Sequence, residues 1–89
     1  MAWEIELSLV AEKKLEKLGA EPARRILTFL FERLASLENP RDTGGALTGS
    51  RLGDLWRYRV GDYRIICDIQ DNVVKILVVN VGHRSDVYN

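Results

Sequence analysis

The stretch from Arg51 to Arg64 concentrates side chains that bind phosphate. It holds four arginines against two acidic residues, Asp54 and Asp62, and the arginines are Arg51, Arg57, Arg59 and Arg64. Arginine stays protonated and presents a planar fork that matches the geometry of phosphate. The whole chain has a net charge of zero, from 13 basic and 13 acidic residues. The sequence therefore predicts a local anion-binding site on a neutral body, without the strong non-specific nucleic-acid binding that a basic protein shows.

Spacing predicts that three of these arginines share one face of a β-hairpin. Two strand-like runs flank Gly61-Asp62, a two-residue turn in which glycine tolerates a positive φ. Side chains alternate along a strand, so Arg57 and Arg59 share a face and Arg59 lies opposite Arg64. Like charges opposite one another destabilise a sheet, which favours a function on an anion over a solvated sheet face. The other face is predicted to join the core through Trp56, Tyr58, Val60, Tyr63, Ile65 and Cys67.

The last residues add groups that can transfer a proton and stack on a base. His83 is the single histidine, and Arg84 and Tyr88 follow it. Histidine titrates near neutrality, and tyrosine offers a stacking face for an unpaired base. Together with arginines, this set fits cleavage of RNA by its own 2′-OH without a metal or other cofactor. The alternatives are an ordinary surface histidine and a frayed terminus.

Hydrophobic periodicity predicts the elements that position these groups. Residues 2–7 alternate as a half-buried strand, Ser8 caps a helix that Gly19 ends, and a second helix runs from Pro22 to Asn39. A glycine-rich connection, 41–53, leads to the hairpin, and Asp71-Asn72 is predicted to turn the chain into a buried strand over 73–81. The order is β-α-α-β-β-β. We expect one α+β domain over 1–89, an antiparallel sheet with both helices on one face.

These registers predict the neighbours of the arginines. Asp68 should face Lys75 as a surface charge pair. The arginine-bearing face should also carry an apolar patch, formed by Ile66, Leu77, Val79 and Val81. The sequence ends at Asn89 without a further helix to cover that patch, so we expect a partner segment there.

Composition bounds the class of protein. With 89 residues, 46% of them hydrophobic and 29% charged, the chain is predicted to be a small globular domain. One cysteine, Cys67, excludes a disulfide framework and a cysteine metal cluster, and its place on the core face favours a buried, unreactive thiol. No signal peptide and no apolar run of membrane-spanning length is evident, so a cytoplasmic protein without a membrane partner is expected.

The element order and three motifs resemble the RelE/ParE toxin superfamily, and specifically RelE. The motifs are the Leu47-Thr48-Gly49 element, residues 56–64 (Trp-Arg-Tyr-Arg-Val-Gly-Asp-Tyr-Arg) and residues 81–88 (Val-Gly-His-Arg-Ser-Asp-Val-Tyr). The resemblance implies the toxin of a type II toxin–antitoxin pair that enters the A site of the 70S ribosome and cuts mRNA. It also implies a RelB-like antitoxin that blocks the site, and binding to operator DNA as the toxin–antitoxin complex.

Roles carried over by position follow from that resemblance. Arg57 and Arg59 match basic residues that orient the RNA backbone, Arg64 matches an arginine that stabilises the scissile phosphate, and Arg84 matches a basic residue near the leaving group. Tyr88 matches a tyrosine that stacks on a base, and Arg51 is expected to add to RNA binding. Well-known RelE toxins carry lysines where Arg57 and Arg59 stand, one of them a proposed general base. Arginine does not readily lose its proton, so His83 is the predicted substitute. Many relatives also continue past the tyrosine into a helix.

Two other functions remain open at this point. A ParE-like inhibitor of DNA gyrase would share the fold, act by binding and need no proton-transfer residue. A non-catalytic member would bind only its antitoxin and DNA. The His83 and Tyr88 ending favours the endoribonuclease over both.

Overall fold

Two helices and five strands form the chain in the computed structural model, which describes residues 2–47 and 55–84. The helices are α1 (Leu9–Leu18) and α2 (Ala20–Thr28), and α2 continues as a π-helical turn over Phe29–Leu34. The strands are β1 (Glu4–Leu7), β2 (Gly45–Ala46), β3 (Leu55–Val60), β4 (Tyr63–Gln70) and β5 (Lys75–His83). Short 3-10 turns cover Pro40–Asp42 and Asp71–Val73.

The strands form one mixed sheet in the order β1-β5-β4-β3-β2. The predicted α+β class is confirmed, but the prediction that the sheet is antiparallel throughout is wrong at one edge, because β1 pairs parallel to β5. Parallel neighbours cannot be joined by a short turn, and here the helices and the other strands lie between β1 and β5 in the chain. The sequence analysis also missed β2, which forms inside the glycine-rich connection and pairs with β3.

Both helices pack on one face of the sheet, as predicted. The Ser8 hydroxyl accepts a hydrogen bond from the backbone N–H of Ala11 at 3.1 Å, which caps α1, and Gly19 ends α1 with a φ of 93°. The helices contribute Ala11, Leu15, Ile26, Leu30 and Leu34 to the core. The sheet contributes Tyr58, Ile65, Cys67, Ile69, Ile76, Val78 and Val81. The core face predicted for the hairpin is therefore confirmed.

The predicted buried position of Cys67 is also confirmed. Its side chain is fully buried in the core, and burial raises the pKa of its thiol. A thiol reacts as its thiolate, so Cys67 packs as a small apolar side chain and is not a nucleophile.

The connection from β4 to β5 is longer than predicted. It spans four residues from Asp71 to Val74, with Val74 at a φ of 52°, so Gln70 rather than Asp68 lies opposite Lys75. The predicted Asp68–Lys75 pair is wrong: the Lys75 ammonium lies 2.9 Å from a Glu6 carboxylate oxygen on β1. The register therefore differs from the predicted one by two residues. A shift of two residues does not by itself change the face on which a side chain lies.

A β-bulge in β5 does move side chains to the other face. Ile66 pairs with Asn80 but Cys67 pairs with Val78, so one residue of β5 is extra. The bulge reverses the alternation beyond it. Val81 is therefore fully buried on the helix side, against the prediction, and Asn80 takes its place on the face that carries the arginines. Ile66 and Leu77 keep their predicted face, where Ile66 is buried.

Candidate functional site

Three arginines lie on the sheet face that turns away from the helices. The hairpin has the predicted register: Val60 pairs with Tyr63, and Arg59 pairs directly with Arg64 across β3 and β4. Tyr58 and Ile65 point into the core, so alternation places Arg57, Arg59 and Arg64 together on the opposite face. Gly61 has a φ of 59°, which fits the predicted two-residue turn. We call this surface, defined by these three side chains, the arginine face.

Among the described residues, no acid neutralises the positive charge of the Arg59–Arg64 pair. The Arg64 guanidinium donates to the backbone oxygens of Gly61 and Tyr63, each at 3.3 Å, and these are uncharged acceptors. Within residues 2–47 and 55–84, no carboxylate oxygen lies within 4.0 Å of Arg59 or Arg64. Two guanidinium groups opposite one another without an acid destabilise the hairpin unless an anion binds between them.

The segment just before β2 holds the strand that carries Arg57 and Arg59. The Trp56 indole N–H donates to the Thr43 carbonyl at 2.8 Å, and the Tyr58 hydroxyl donates to the Pro40 carbonyl at 2.5 Å. Burial raises the pKa of Tyr58 well above its usual value, so the hydroxyl stays protonated and remains a donor. Side chains on the core face thus hold the backbone, while the arginines project from the other face.

Gly44 is a positioning residue that the sequence analysis missed. It has a φ of 81°, and a Cβ atom there would overlap the backbone oxygen of Arg57 and lie 2.8 Å from the Trp56 indole nitrogen. Only glycine lets the loop approach β3 so closely. The Gly44-Gly45 pair was the available signal, but it indicated only a flexible connection.

We expect Gly44→Ala to lower the free energy of unfolding by more than Gly19→Ala. Both positions have positive φ, which costs a residue with a Cβ atom about 1–2 kcal/mol. A Cβ atom at Gly19 meets nothing within 4 Å, whereas at Gly44 it meets the backbone of β3. Urea unfolding of the two variants measures the difference. Equal losses would contradict the role of Gly44 in holding β3.

The structure places His83 and Arg84 beside the hairpin tip, as predicted, but turns the imidazole away from the arginine face. The backbone N–H of Arg84 donates to the Asp62 carbonyl at 2.9 Å. The His83 ring packs edge-on against Tyr63, with ring centroids 5.9 Å apart. Gly82, which has no side chain, lies opposite Arg64. The bulge in β5 causes this, because it turns His83 to the side of Tyr63.

Two of the predicted site residues fall outside the described part of the chain. Arg51 and Tyr88 are among the residues 48–54 and 85–89, whose structure is not described. Arg84 is exposed at the end of β5. The described site is therefore a set of guanidinium groups on one hairpin, with a histidine at the adjoining strand end. Such a set can hold and polarise a phosphate group.

Several solved structures of RelE toxins and RelE–RelB toxin–antitoxin complexes have this fold. A chain of the toxin–antitoxin complex RelBE2 from Mycobacterium tuberculosis superposes with a TM-score of 0.83 at 24% identity, covering 97% of this chain and 95% of that one. A variant of the E. coli toxin RelE in the free state gives 0.75 at 27% identity, covering 99% and 92%. A chain of the archaeal RelE–RelB complex from Pyrococcus horikoshii gives a TM-score of 0.72 at 26% identity, covering 98% of this chain and 100% of that one.

Sequence comparison assigns the family. No curated protein matches the chain. The family model described as the ParE toxin of the type II toxin–antitoxin system parDE matches residues 5–88, nearly the whole chain. Model and structures agree on the superfamily predicted from the hairpin and the terminal motif. The chain belongs to the ParE toxin family of type II toxin–antitoxin systems, within the RelE/ParE superfamily.

Proposed function

We propose that this toxin is a ribosome-dependent endoribonuclease that cleaves mRNA in the ribosomal A site. The observation that carries the proposal is the direct pairing of Arg59 with Arg64 on an open sheet face without a neutralising carboxylate in the described residues. Such a pair lowers the stability of the sheet, so it is better explained by binding of an RNA phosphate than by a structural role. The similarity to the E. coli and P. horikoshii RelE structures, at 27% and 26% identity, supports it.

The proposed reaction uses the 2′-OH of the RNA as the nucleophile. The 2′-OH gives up its proton to a base as its oxygen attacks the adjacent phosphorus. The bond to the 5′-oxygen breaks and that oxygen takes up a proton, so the products are a 2′,3′-cyclic phosphate and a 5′-OH. Negative charge grows on the phosphoryl oxygens as the bond forms. Arg59 and Arg64 would stabilise that charge, Arg57 would orient the backbone, and Arg84 would lie near the leaving group. The residues 48–54 and 85–89 would add Arg51 as a backbone contact and Tyr88 as a base-stacking group.

Proton transfer by His83 remains a prediction, and we propose that His83 contributes less to the cleavage rate than Arg64 does. The imidazole contacts Tyr63 on the helix side, while charge stabilisation would take place on the arginine face. We expect His83→Gln to lower the rate of mRNA cleavage less than Arg64→Ala does. The measurement is the single-turnover rate across a pH range around the ordinary histidine pKa of about 6.5. An equal loss, together with disappearance of a pH-dependent limb, would contradict this ranking.

The proposal includes partners. The RelE structures from M. tuberculosis and P. horikoshii are complexes with antitoxins, and we infer a RelB-like antitoxin for this chain as well. The pair would bind operator DNA together, and the toxin would act in the cytoplasm. No helix in the described ranges is both long and apolar enough to cross a membrane.

A second candidate is inhibition of DNA gyrase by binding, because the matching family model is described as a ParE toxin. That function would require no proton transfer. A cluster of arginines could then bind an acidic surface or DNA.

Pulse-labelling of growing cells distinguishes the two functions. After induction of the toxin without its antitoxin, we expect incorporation of labelled amino acids to stop before incorporation of labelled thymidine. Arg64→Ala serves as the inactive control. Loss of DNA synthesis first, with continued translation, would assign the ParE function.

A further inference from the structure

A second cluster of arginines lines a cleft on the other side of the β3 edge. The cleft has a volume of about 600 Å³ and lies between α2 with its π-helical continuation and the end of β3. Its described lining includes four arginines, Arg24, Arg25, Arg33 and Arg59, and no acidic residue. Four guanidinium groups around one cleft repel one another, so the cleft is suited to a ligand that carries several negative charges.

Three of the four arginines in this cleft have no acidic partner within the described part of the chain. Arg24 forms an ion pair with Glu21 at 2.8 Å, one turn earlier on the exposed side of α2. For Arg25, Arg33 and Arg59, no carboxylate oxygen in residues 2–47 and 55–84 lies within 4.0 Å. Arg25 and Arg33 are exposed on the helix surface, so a ligand from solvent can reach them.

The cleft is continuous with the arginine face. Arg59 lines the cleft and also lines a smaller one of about 300 Å³ that it shares with Arg57, Thr43 and Gly44. On the other side, the Arg25 guanidinium lies over the hairpin tip, 3.1 Å from the position a Cβ atom of Gly61 would take. Positive charge therefore runs from Arg57 around the edge of β3 to the helix, without an acidic side chain among the described residues that line the two clefts.

We propose that this cleft binds the phosphodiester backbone of the same RNA strand that lies on the arginine face. The inference rests on the proposed endoribonuclease function and extends it, because it assigns Arg25 and Arg33 to the path of the strand beyond the cleaved phosphate. A single-stranded backbone presents phosphates at regular intervals, which matches guanidinium groups distributed along a bent groove. An acidic peptide is the competing ligand, but the shared Arg59 favours a strand already bound on the arginine face.

Binding of an uncleavable RNA tests the cleft separately from catalysis. The probes are fluorescent 2′-O-methyl oligouridines of about four and about sixteen nucleotides, which span the range of single-strand site sizes. The variants are Arg25→Ala with Arg33→Ala, and, as the matched control, Lys13→Ala with Lys17→Ala. The control removes two exposed positive charges from α1, outside the cleft.

We expect the arginine double variant to weaken binding of the long oligonucleotide by about tenfold at low salt. The slope of log affinity against log salt should fall by about 1.4, because each phosphate contact to a single strand contributes about 0.7. Binding of the short oligonucleotide should change little, and the control should affect both probes less than about twofold. These results would hold whether or not the chain cleaves mRNA, since the probe reports binding alone.

Three outcomes would overturn the proposal. The control could weaken the long probe as much as the arginine variant, which would indicate general charge attraction. The short probe could lose as much affinity as the long one, which would show that the cleft does not bind the part of the strand beyond the cleaved phosphate. Finally, a glutamate oligopeptide of equal charge could displace the long probe as well as unlabelled RNA does, which would assign the cleft to an acidic protein segment.

Discussion

Arg64→Ala is expected to abolish growth arrest while leaving the protein folded. Arg64 lies on the arginine face, opposite Arg59 and outside the core, and its guanidinium donates to two backbone carbonyls of its own hairpin. Removing one preorganised donor that stabilises developing charge costs about 10²–10³ in rate. Single-turnover cleavage of mRNA on ribosomes measures that loss.

The stability of the same variant separates chemistry from folding. We expect the free energy of unfolding to change by less than about 0.5 kcal/mol, as for surface substitutions away from buried contacts. Lys13→Ala, which removes one exposed charge from α1, is the matched control and should keep full toxicity. An unfolded Arg64→Ala variant, or one that still arrests growth, would contradict the assignment of Arg64.

Arg59→Glu is expected to abolish toxicity and at the same time stabilise the fold. The substitution replaces a like-charge pair across β3 and β4 with an opposite-charge pair. The new carboxylate would repel the RNA phosphate, which removes activity, and attract Arg64, which stabilises the hairpin. Cross-strand pairs of opposite charge contribute about 0.2–1 kcal/mol, and like charges cost energy. A loss of toxicity together with a gain in the free energy of unfolding is the result expected if Arg59 serves function at the expense of stability.

Arg59→Gln provides the neutral comparison. It removes the repulsion without adding an attraction, so its free energy of unfolding should lie between those of the natural chain and Arg59→Glu. Urea unfolding at low and high salt measures the series, and the differences should shrink at high salt because exposed charges are screened. Loss of stability in Arg59→Glu would show that Arg59 has a structural partner and is not retained for anion binding alone.

The hairpin was predictable because its register is set locally. Gly61-Asp62 favours a tight turn, and a tight turn fixes which residues of β3 and β4 lie opposite one another. The arginine face and the core face then follow from alternation alone. The ends of α1 were predictable for the same reason, since Ser8 and Gly19 act through contacts within one turn.

The errors concern pairings between segments distant in sequence. The parallel pairing of β1 with β5 depends on where the helices carry the chain, which no local pattern specifies. The bulge in β5 is a single extra residue in an apolar run, where alternation gives no signal. That residue alone turns Val81 and His83 to the helix side and removes the imidazole from the predicted cluster.

The cationic cleft was missed because its parts come from different elements. Arg25 and Arg33 are ordinary positions on a helical wheel, where exposed arginines usually form a solvated face. Only the packing of α2 beside the end of β3 brings them near Arg59. Likewise, Gly44 becomes informative only when β3 is seen to lie against it.

Cleavage mapping of a defined mRNA tests the central claim most directly. Purified toxin is added to the mRNA alone and to the same mRNA on translating ribosomes, with Arg64→Ala in parallel, and the new 5′ ends are mapped by primer extension. We expect cuts within codons that require both the ribosome and Arg64. Absence of cuts from a folded toxin that still arrests growth, together with inhibition of DNA supercoiling by gyrase, would contradict the endoribonuclease function.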